Sequence, residues 1–280
     1  MTPEEILKDH SETAVRDAIE ENHIVFSVDT MSAVPEPYVP EMHRSGEMIR
    51  CYTGIPNPMT NGVYALRFDE QDLEKRVLEN LEFFRSHKVP HMWWIGPNSS
   101  PKEIEDSLVG HGLMKIEWEN PAMAVDLRQL DDSKIRELEE RSGAEIRRVM
   151  REEDMDRWTG VVGAAFGFDE LTYKAFQGIF RTFVDRKGSP FILAEVDGEP
   201  VGASCSALRA GVVGLYNVGT LEEHRGKGIG QLVSLAALFE GRNQGYDIGI
   251  LSSSEPGFNV YQKLGFKEYF RYRFYVDIPQ

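Results

Sequence analysis

The chain has 280 residues, 41% of them hydrophobic and 28% charged. That is enough for about two domains at roughly 100 to 200 residues each, and it excludes a mini-protein or a disordered scaffold. A formal charge of -15, from 46 acidic and 31 basic side chains, repels phosphate backbones and anionic lipid and argues against nucleic-acid or membrane partners.

The opening run Met1-Thr2-Pro3-Glu4-Glu5 is acidic where a secretory signal is basic and then apolar, and no stretch approaches about 18 apolar residues, so the expected compartment is the cytoplasm. Residues 71 to 87 place Leu73, Val77, Leu81 and Phe84 on one face of a helix. Trp93-Trp94-Ile95-Gly96-Pro97 follows as a strand, one ring on each face: one for the core, the other for the neighbouring domain or a substrate-pocket wall. Residues 1 to 130 hold 23 acidic and 12 basic side chains, and the polar segment 131 to 143 comes next. The domain boundary is expected there, dividing the chain into 1-130 and 131-280. Cys51 and Cys205 are too few for a disulfide framework or a thiolate metal site, and no metal is expected.

In the second half the pattern predicts a strand at 144 to 149, helices near 153 to 166 and 170 to 186, and strands at 191 to 196, 200 to 209 and 212 to 220. Asp197-Gly198 is a two-residue hairpin signal. A helix from about 228 carries Ile229, Leu232, Val233, Ala236 and Phe239 on one face. A strand at 247 to 252, a helix near 256 to 264 and a strand at 266 to 277 complete an α/β order in which a meander feeds a strand-helix-strand crossover. Short apolar runs ending in serine, at 94 to 100 and 248 to 254, each precede a helix. Those helices end at Gly112-Leu113 and Gly265-Phe266, 153 residues apart, which suggests two copies of one unit.

Arg225-Gly226-Lys227-Gly228-Ile229-Gly230 lies between a strand ending in Val218-Gly219-Thr220 and an amphipathic helix. Glycines let backbone N-H groups converge, the helix start adds partial positive charge, and Arg225 and Lys227 add whole charges, so the loop reads as an anion cradle. Leu221 and Gly228 break the Walker pattern. Gln231 takes the sixth-position Gly or Ala of a dinucleotide loop, and Asp247 begins the next strand instead of ending it.

The loop resembles the Arg/Gln-x-x-Gly-x-Gly pyrophosphate motif of the GNAT superfamily of N-acetyltransferases at every fixed position. Val260-Tyr261-Gln262-Lys263-Leu264-Gly265-Phe266 resembles the superfamily's closing signature. The resemblance covers roughly residues 144 to 277, and the first half looks like a degenerate copy, a tandem form. It implies an α/β (α+β mixed sheet) fold with two GNAT-like domains, each a central mixed β-sheet flanked by helices. It also implies an acetyl-CoA-dependent N-acetyltransferase acting on a primary amine of a small molecule or peptide, as a monomer or homodimer. On that resemblance Val218, Gly219 and Thr220 would pair with the pantetheine arm, and Arg225, Gly226, Lys227, Gly228, Ile229, Gly230 and Gln231 would hold the pyrophosphate. Ser254 would contact the cofactor, and Tyr261 would protonate the leaving thiolate.

The general base lies in no motif. The strand at 248 to 251 offers no carboxylate, while Tyr216, Asn217 and Glu195, or Asp169 and Glu170, are candidates to hold a water in that role. His224 is expected to face solvent. The first half lacks the chemistry: Val63 to Asp69 has no glycine, and Leu108 stands where Tyr261 does in the second half. Two other readings stay open, a catalytically silent CoA-binding sensor or interaction module and an acyltransferase similar to mycothiol synthase.

Overall fold

The three-to-four-residue recurrence of Leu73, Val77, Leu81 and Phe84 becomes the buried face of a helix in the computed structural model, which describes residues 5-184 and 188-279. In chain order the first half holds α1 (Glu12–Met31), β1 (Glu41–Arg44), β2 (Ile49–Tyr52), β3 (Gly62–Tyr64), α2 (Leu73–Ser86), β4 (His91–Ile95), α3 (Ile104–Gly110), β5 (Met114–Lys115) and β6 (Asn120–Asp126). The second half holds α4 (Ser133–Ser142), β7 (Glu145–Arg148), α5 (Glu152–Phe166), α6 (Glu170–Arg181), β8 (Phe191–Val196), β9 (Glu199–Arg209), β10 (Val212–Thr220), α7 (Ile229–Arg242), β11 (Ile248–Ser252), α8 (Phe258–Lys263) and β12 (Lys267–Asp277). The elements expected from 144 onward all form, within a few residues of their anticipated ends. Residues 185 and 186 of the helix expected to end there lie outside the described residues. Asp197 and Gly198 both have positive φ, +51° and +81°, as the hairpin signal requires.

Two expectations change. The polar segment expected to mark the domain boundary is helix α4, whose Leu138 is buried in the core with residues of α7. The compact units are also not consecutive halves. One unit comprises Met1–Phe26 and Ala122–Tyr269 and carries the glycine loop. The other comprises Ser27–Pro121 and Phe270–Gln280 and lacks it. The division expected at 130/131 fails because each unit's sheet takes in the strand that follows the other unit's last helix. β6, after α3, pairs antiparallel with β11, and β12, after α8, pairs antiparallel with β4.

In the loop-bearing unit the strand order is β6-β11-β10-β9-β8-β7, antiparallel except for β10 against β11. The antiparallel β8-β9-β10 meander feeds the β10-α7-β11 crossover that the parallel pair requires. Val213 and Leu215 face a core shared with Ile229, Leu232, Val233 and Leu235 of α7. From the N-terminal segment, the buried side-chain amide of Asn22 in α1 donates to the carbonyls of Ala207 (3.1 Å), Arg209 (2.7 Å) and Val212 (3.4 Å) around the β9-β10 hairpin. In the loop-free unit the order is β1-β2-β3-β4-β12, with β3 and β4 the parallel pair. Trp93 is fully buried in its core with Phe84, Leu81 and Leu108. Trp94 faces the other side among Tyr64, Tyr272 and Phe274.

Candidate functional site

Strands β10 and β11 pair at only two positions, Val213 with Gly249 and Gly214 with Ile250. Beyond them β11 stays with β6 as far as Ser252, while β10 stays with β9 through a bulge between Tyr216 and Gly219. The bulge is set by Asn217, which takes a positive φ of +52° that a short amide side chain tolerates. A strand edge at 216 to 220 is thereby released from its parallel neighbour, leaving backbone donors and acceptors available to an extended ligand. Val218, Gly219 and Thr220 lie on that edge. Gly219 also has a packing role, because a Cβ there would meet the Ala165 Cβ of α5 at 2.9 Å.

From Thr220 the chain passes through a short turn into the loop. Gly226 (+77°) and Gly228 (+93°) have left-handed backbone, and α7 starts at Ile229 with no side chain capping its free N-H groups. The first helical bond runs from the Leu232 N-H to the Gly228 carbonyl. Arg225, Gly226 and Lys227 are exposed, Gly228, Gly230 and Gln231 are half-exposed, and Ile229 is buried in the core. The Arg225 guanidinium turns back, donating to the carbonyls of Thr220 (3.3 Å) and Ala165 (3.4 Å). Arg141 of α4 reaches in from outside the motif, its Nε donating to the Lys227 carbonyl at 3.2 Å. Among the described residues none of these three cations forms an ion pair, although the chain carries a charge of -15.

Tyr261 of α8 is buried beside Phe266 (ring centroids 5.7 Å). Burial pushes its phenol up to about 12, partly offset by hydrogen bonding to the Ser234 hydroxyl. Ser234 in turn donates to the Gly230 carbonyl at 2.7 Å, linking Tyr261 to the first turn of α7. Ser254 is exposed, and its carbonyl accepts from Gly257 and Phe258 at the entry to α8.

The carboxylates considered for the base are engaged elsewhere. Glu195 is held by Arg157 at 2.6 Å and Arg147 at 3.6 Å. Asp169 caps α6 by accepting from the Thr172 N-H, which lowers its pKa, and Glu170 is lowered by its bond to Lys174. The Tyr216 hydroxyl donates to Asn22 at 2.6 Å, and the Asn217 amide points to the Cys205 sulfur at 3.6 Å. Cys205 and Cys51 are both buried, and burial raises each thiol to about 12. His224 is only partly exposed, with Nδ1 enclosed and without a hydrogen-bond partner, instead of facing solvent. Among the described residues there is no cluster of three or more metal-ligating side chains. Among the described residues no helix is long and apolar enough to cross a membrane.

The loop-free unit repeats the geometry with a different filling. β3 and β4 also pair at two positions, Gly62 with Met92 and Val63 with Trp93, and Ala65 takes the positive φ of +54°. Here the released edge is covered by the chain itself: the Phe68 N-H donates to the Ser100 carbonyl (2.9 Å) and the Ser100 N-H to the Leu66 carbonyl (3.1 Å). A short turn, Glu70–Asp72, stands where the glycine loop would be, and Leu108 is fully buried.

Arg141 and Ser234 were missed in the sequence. Arg141 lies in the polar segment expected to mark the domain boundary, although Ile135 and Leu138 at helical spacing and Gly143 beyond the end are helix signals. Ser234 lies among apolar residues of α7 and carries no local signal.

The acetyltransferase (GNAT) family model matches residues 147–266. No curated protein matches the chain in sequence. Among solved structures, a GCN5-related N-acetyltransferase from Kribbella flavida is similar with a TM-score of 0.68 at 17% identity, over 93% of this chain and 96% of that one. A functionally unknown conserved protein from Staphylococcus epidermidis ATCC 12228 gives 0.63 at 14% identity, over 91% and 100%. A tandem GNAT protein from the clavulanic acid biosynthesis pathway gives 0.60 at 15%, over 96% and 95%. The match to the acetyltransferase (GNAT) family model is confined to residues 147–266, and the chain shares the fold of a tandem GNAT protein along nearly its whole length.

Proposed function

We propose that the loop-bearing unit transfers an acetyl group from acetyl-CoA to a primary amine of a small molecule or peptide. The observation that carries this reading is the conjunction of a released strand edge with an uncapped helix start ringed by unpaired cations. The first suits the amides of a pantetheine arm and the second its pyrophosphate. Val218, Gly219 and Thr220 pair with the arm, and the backbone from Arg225 to Gln231 takes the phosphates. A strand N-H stabilises the oxyanion formed when the neutral amine attacks the thioester carbonyl.

Tyr261 then serves the departing sulfur. A phenol held at about 12 is a weaker acid than a thiol at about 8.5, so it acts as a hydrogen-bond donor to the thiolate instead of surrendering its proton. With Glu195, Asp169 and Glu170 engaged, water accepts the amine's proton. The loop-free unit, whose released edge is covered by Ser100, takes no CoA and supports the acceptor site or the fold. The acidic chain favours a cationic acceptor at encounter.

Gly230→Asp tests the cradle. A Cβ there makes only ordinary contact with Thr220 Oγ1 at 3.5 Å, and a carboxylate in the first helical turn is stabilising by about 0.3 to 1 kcal/mol. The same carboxylate meets the incoming phosphates. The melting temperature is expected to hold or rise while CoA affinity, measured by calorimetry, falls at least about 100-fold, near 2.8 kcal/mol. Unchanged affinity refutes the cradle. The engaged carboxylates favour a second reading, a CoA-binding module without turnover, and single-turnover acetylation across a panel of amines separates the two.

A further inference from the structure

Arg141 lies before the matched segment 147–266 and outside the glycine motif, yet its guanidinium belongs to the surroundings of the loop. Leu138, one turn earlier in α4, is buried in the core with α7 and fixes the helix beside it. With Nε bound to the Lys227 carbonyl, the Nη2 end lies over Gly228 and takes up the space a side chain would need there. Glu137, the carboxylate one turn away, pairs with Lys134 at 3.6 Å instead. A full positive charge thus stands at the positive end of α7, close to Lys227, with no anion to offset it among the described residues. The motif's own Arg225 meanwhile turns onto carbonyls. The Nη groups of Arg141, without an acceptor among the described residues, keep the fork geometry that grips a phosphate through two parallel bonds.

We propose that Arg141 is a direct phosphate ligand for CoA, supplied by the helix in front of the GNAT domain; the assignment rests on the cofactor reading above. The chemistry is shared by two sources, the pyrophosphate and the ribose 3′-phosphate, and the experiment distinguishes them. Calorimetry on the full chain compares CoA, 3′-dephospho-CoA and pantetheine as titrants for wild type, Arg141→Ala and Arg141→Lys, with melting curves to confirm folding. Arg141→Ala is expected to weaken CoA about 10- to 100-fold, the range of a charged hydrogen bond. Arg141→Lys is expected to recover part of that loss, and pantetheine binding to stay as in wild type. A loss for CoA but not for 3′-dephospho-CoA assigns the 3′-phosphate, and a loss for both assigns the pyrophosphate. Equal loss for all three titrants, or no recovery with lysine, makes Arg141 a brace for the loop and overturns the proposal, as does an unchanged CoA affinity. Wild-type protein that binds none of the three overturns the cofactor reading itself, an outcome distinct from the others.

Discussion

At the scale of single residues, the two catalytic questions turn on partners that the sequence does not show. Glu195→Gln removes a carboxylate already paired with Arg157 and Arg147. Turnover is expected to stay within about twofold of wild type, with a stability loss of about 1 to 3 kcal/mol; a collapse of turnover in the folded variant would make Glu195 the base. Tyr261→Phe removes the hydroxyl that meets Ser234 and keeps the ring against Phe266. Since the phenol is a poor acid, turnover should fall by about 10- to 100-fold, at or below the low end for a positioned acid, and stability by about 1 kcal/mol. Full activity with lowered stability would leave Tyr261 a packing residue. The pH profile is a further check. A pKa raised to about 12 keeps Tyr261 protonated across the working range, so kcat/KM should rise with deprotonation of the substrate amine and show no falling limb near pH 10. A limb near the ordinary tyrosine value of about 10 would show that the hydroxyl is not enclosed. Gly228, by contrast, is an ambiguous place for a test: its φ of +93° and the nearness of Arg141 and Leu138 mean that aspartate there strains the loop whether or not phosphate binds.

At the scale of elements, Asn22 is the clearest expected loss. Asn22→Ala leaves the carbonyls of Ala207, Arg209 and Val212 and the Tyr216 hydroxyl without their partner in a buried place. Unfolding free energy should drop by about 3 kcal/mol or more, and a denaturation series showing a loss below about 1 kcal/mol would contradict the role of α1 as a clamp on the hairpin. Most of the second half was legible before the structure because its signals are local. Asp197-Gly198 forces a turn, short near-continuous apolar runs mark β8 to β10, and α7 follows a glycine loop that few structures other than an anion cradle require. Helix α1 was missed for a physical reason. Its buried face includes Glu20, Asn22, His23 and Thr30 beside Val15 and Ile19, so the helical period is written partly in polar residues. Helix α4 was missed because its two apolar positions sit among charges. Of the site, the motif residues were readable from spacing, whereas Arg141 and the covering of the first unit's edge by Ser100 depend on contacts between distant segments.

At the scale of the whole molecule, β6 and β12 decide how the chain divides. A fragment of residues 131–280 lacks β6, the partner of β11 along Ile248 to Ser252, and a fragment of residues 1–130 lacks β12, the partner of β4. Neither is expected to melt cooperatively alone, while the two mixed or co-expressed should recover a cooperative transition; a sharp melt from either fragment by itself would contradict the exchange of strands. The exchange also fixes an order of events during synthesis. Chains usually complete their N-terminal domain first. Here the loop-free unit, encoded mostly by residues 27 to 121, waits for residues 270 to 277 before β4 gains its neighbour, whereas the loop-bearing unit has every segment once residue 269 has emerged. The ribosome therefore delivers the later-encoded unit complete before the earlier one. For most of the time the chain is being made, β4 carries an open strand edge that nothing yet synthesised is built to cover.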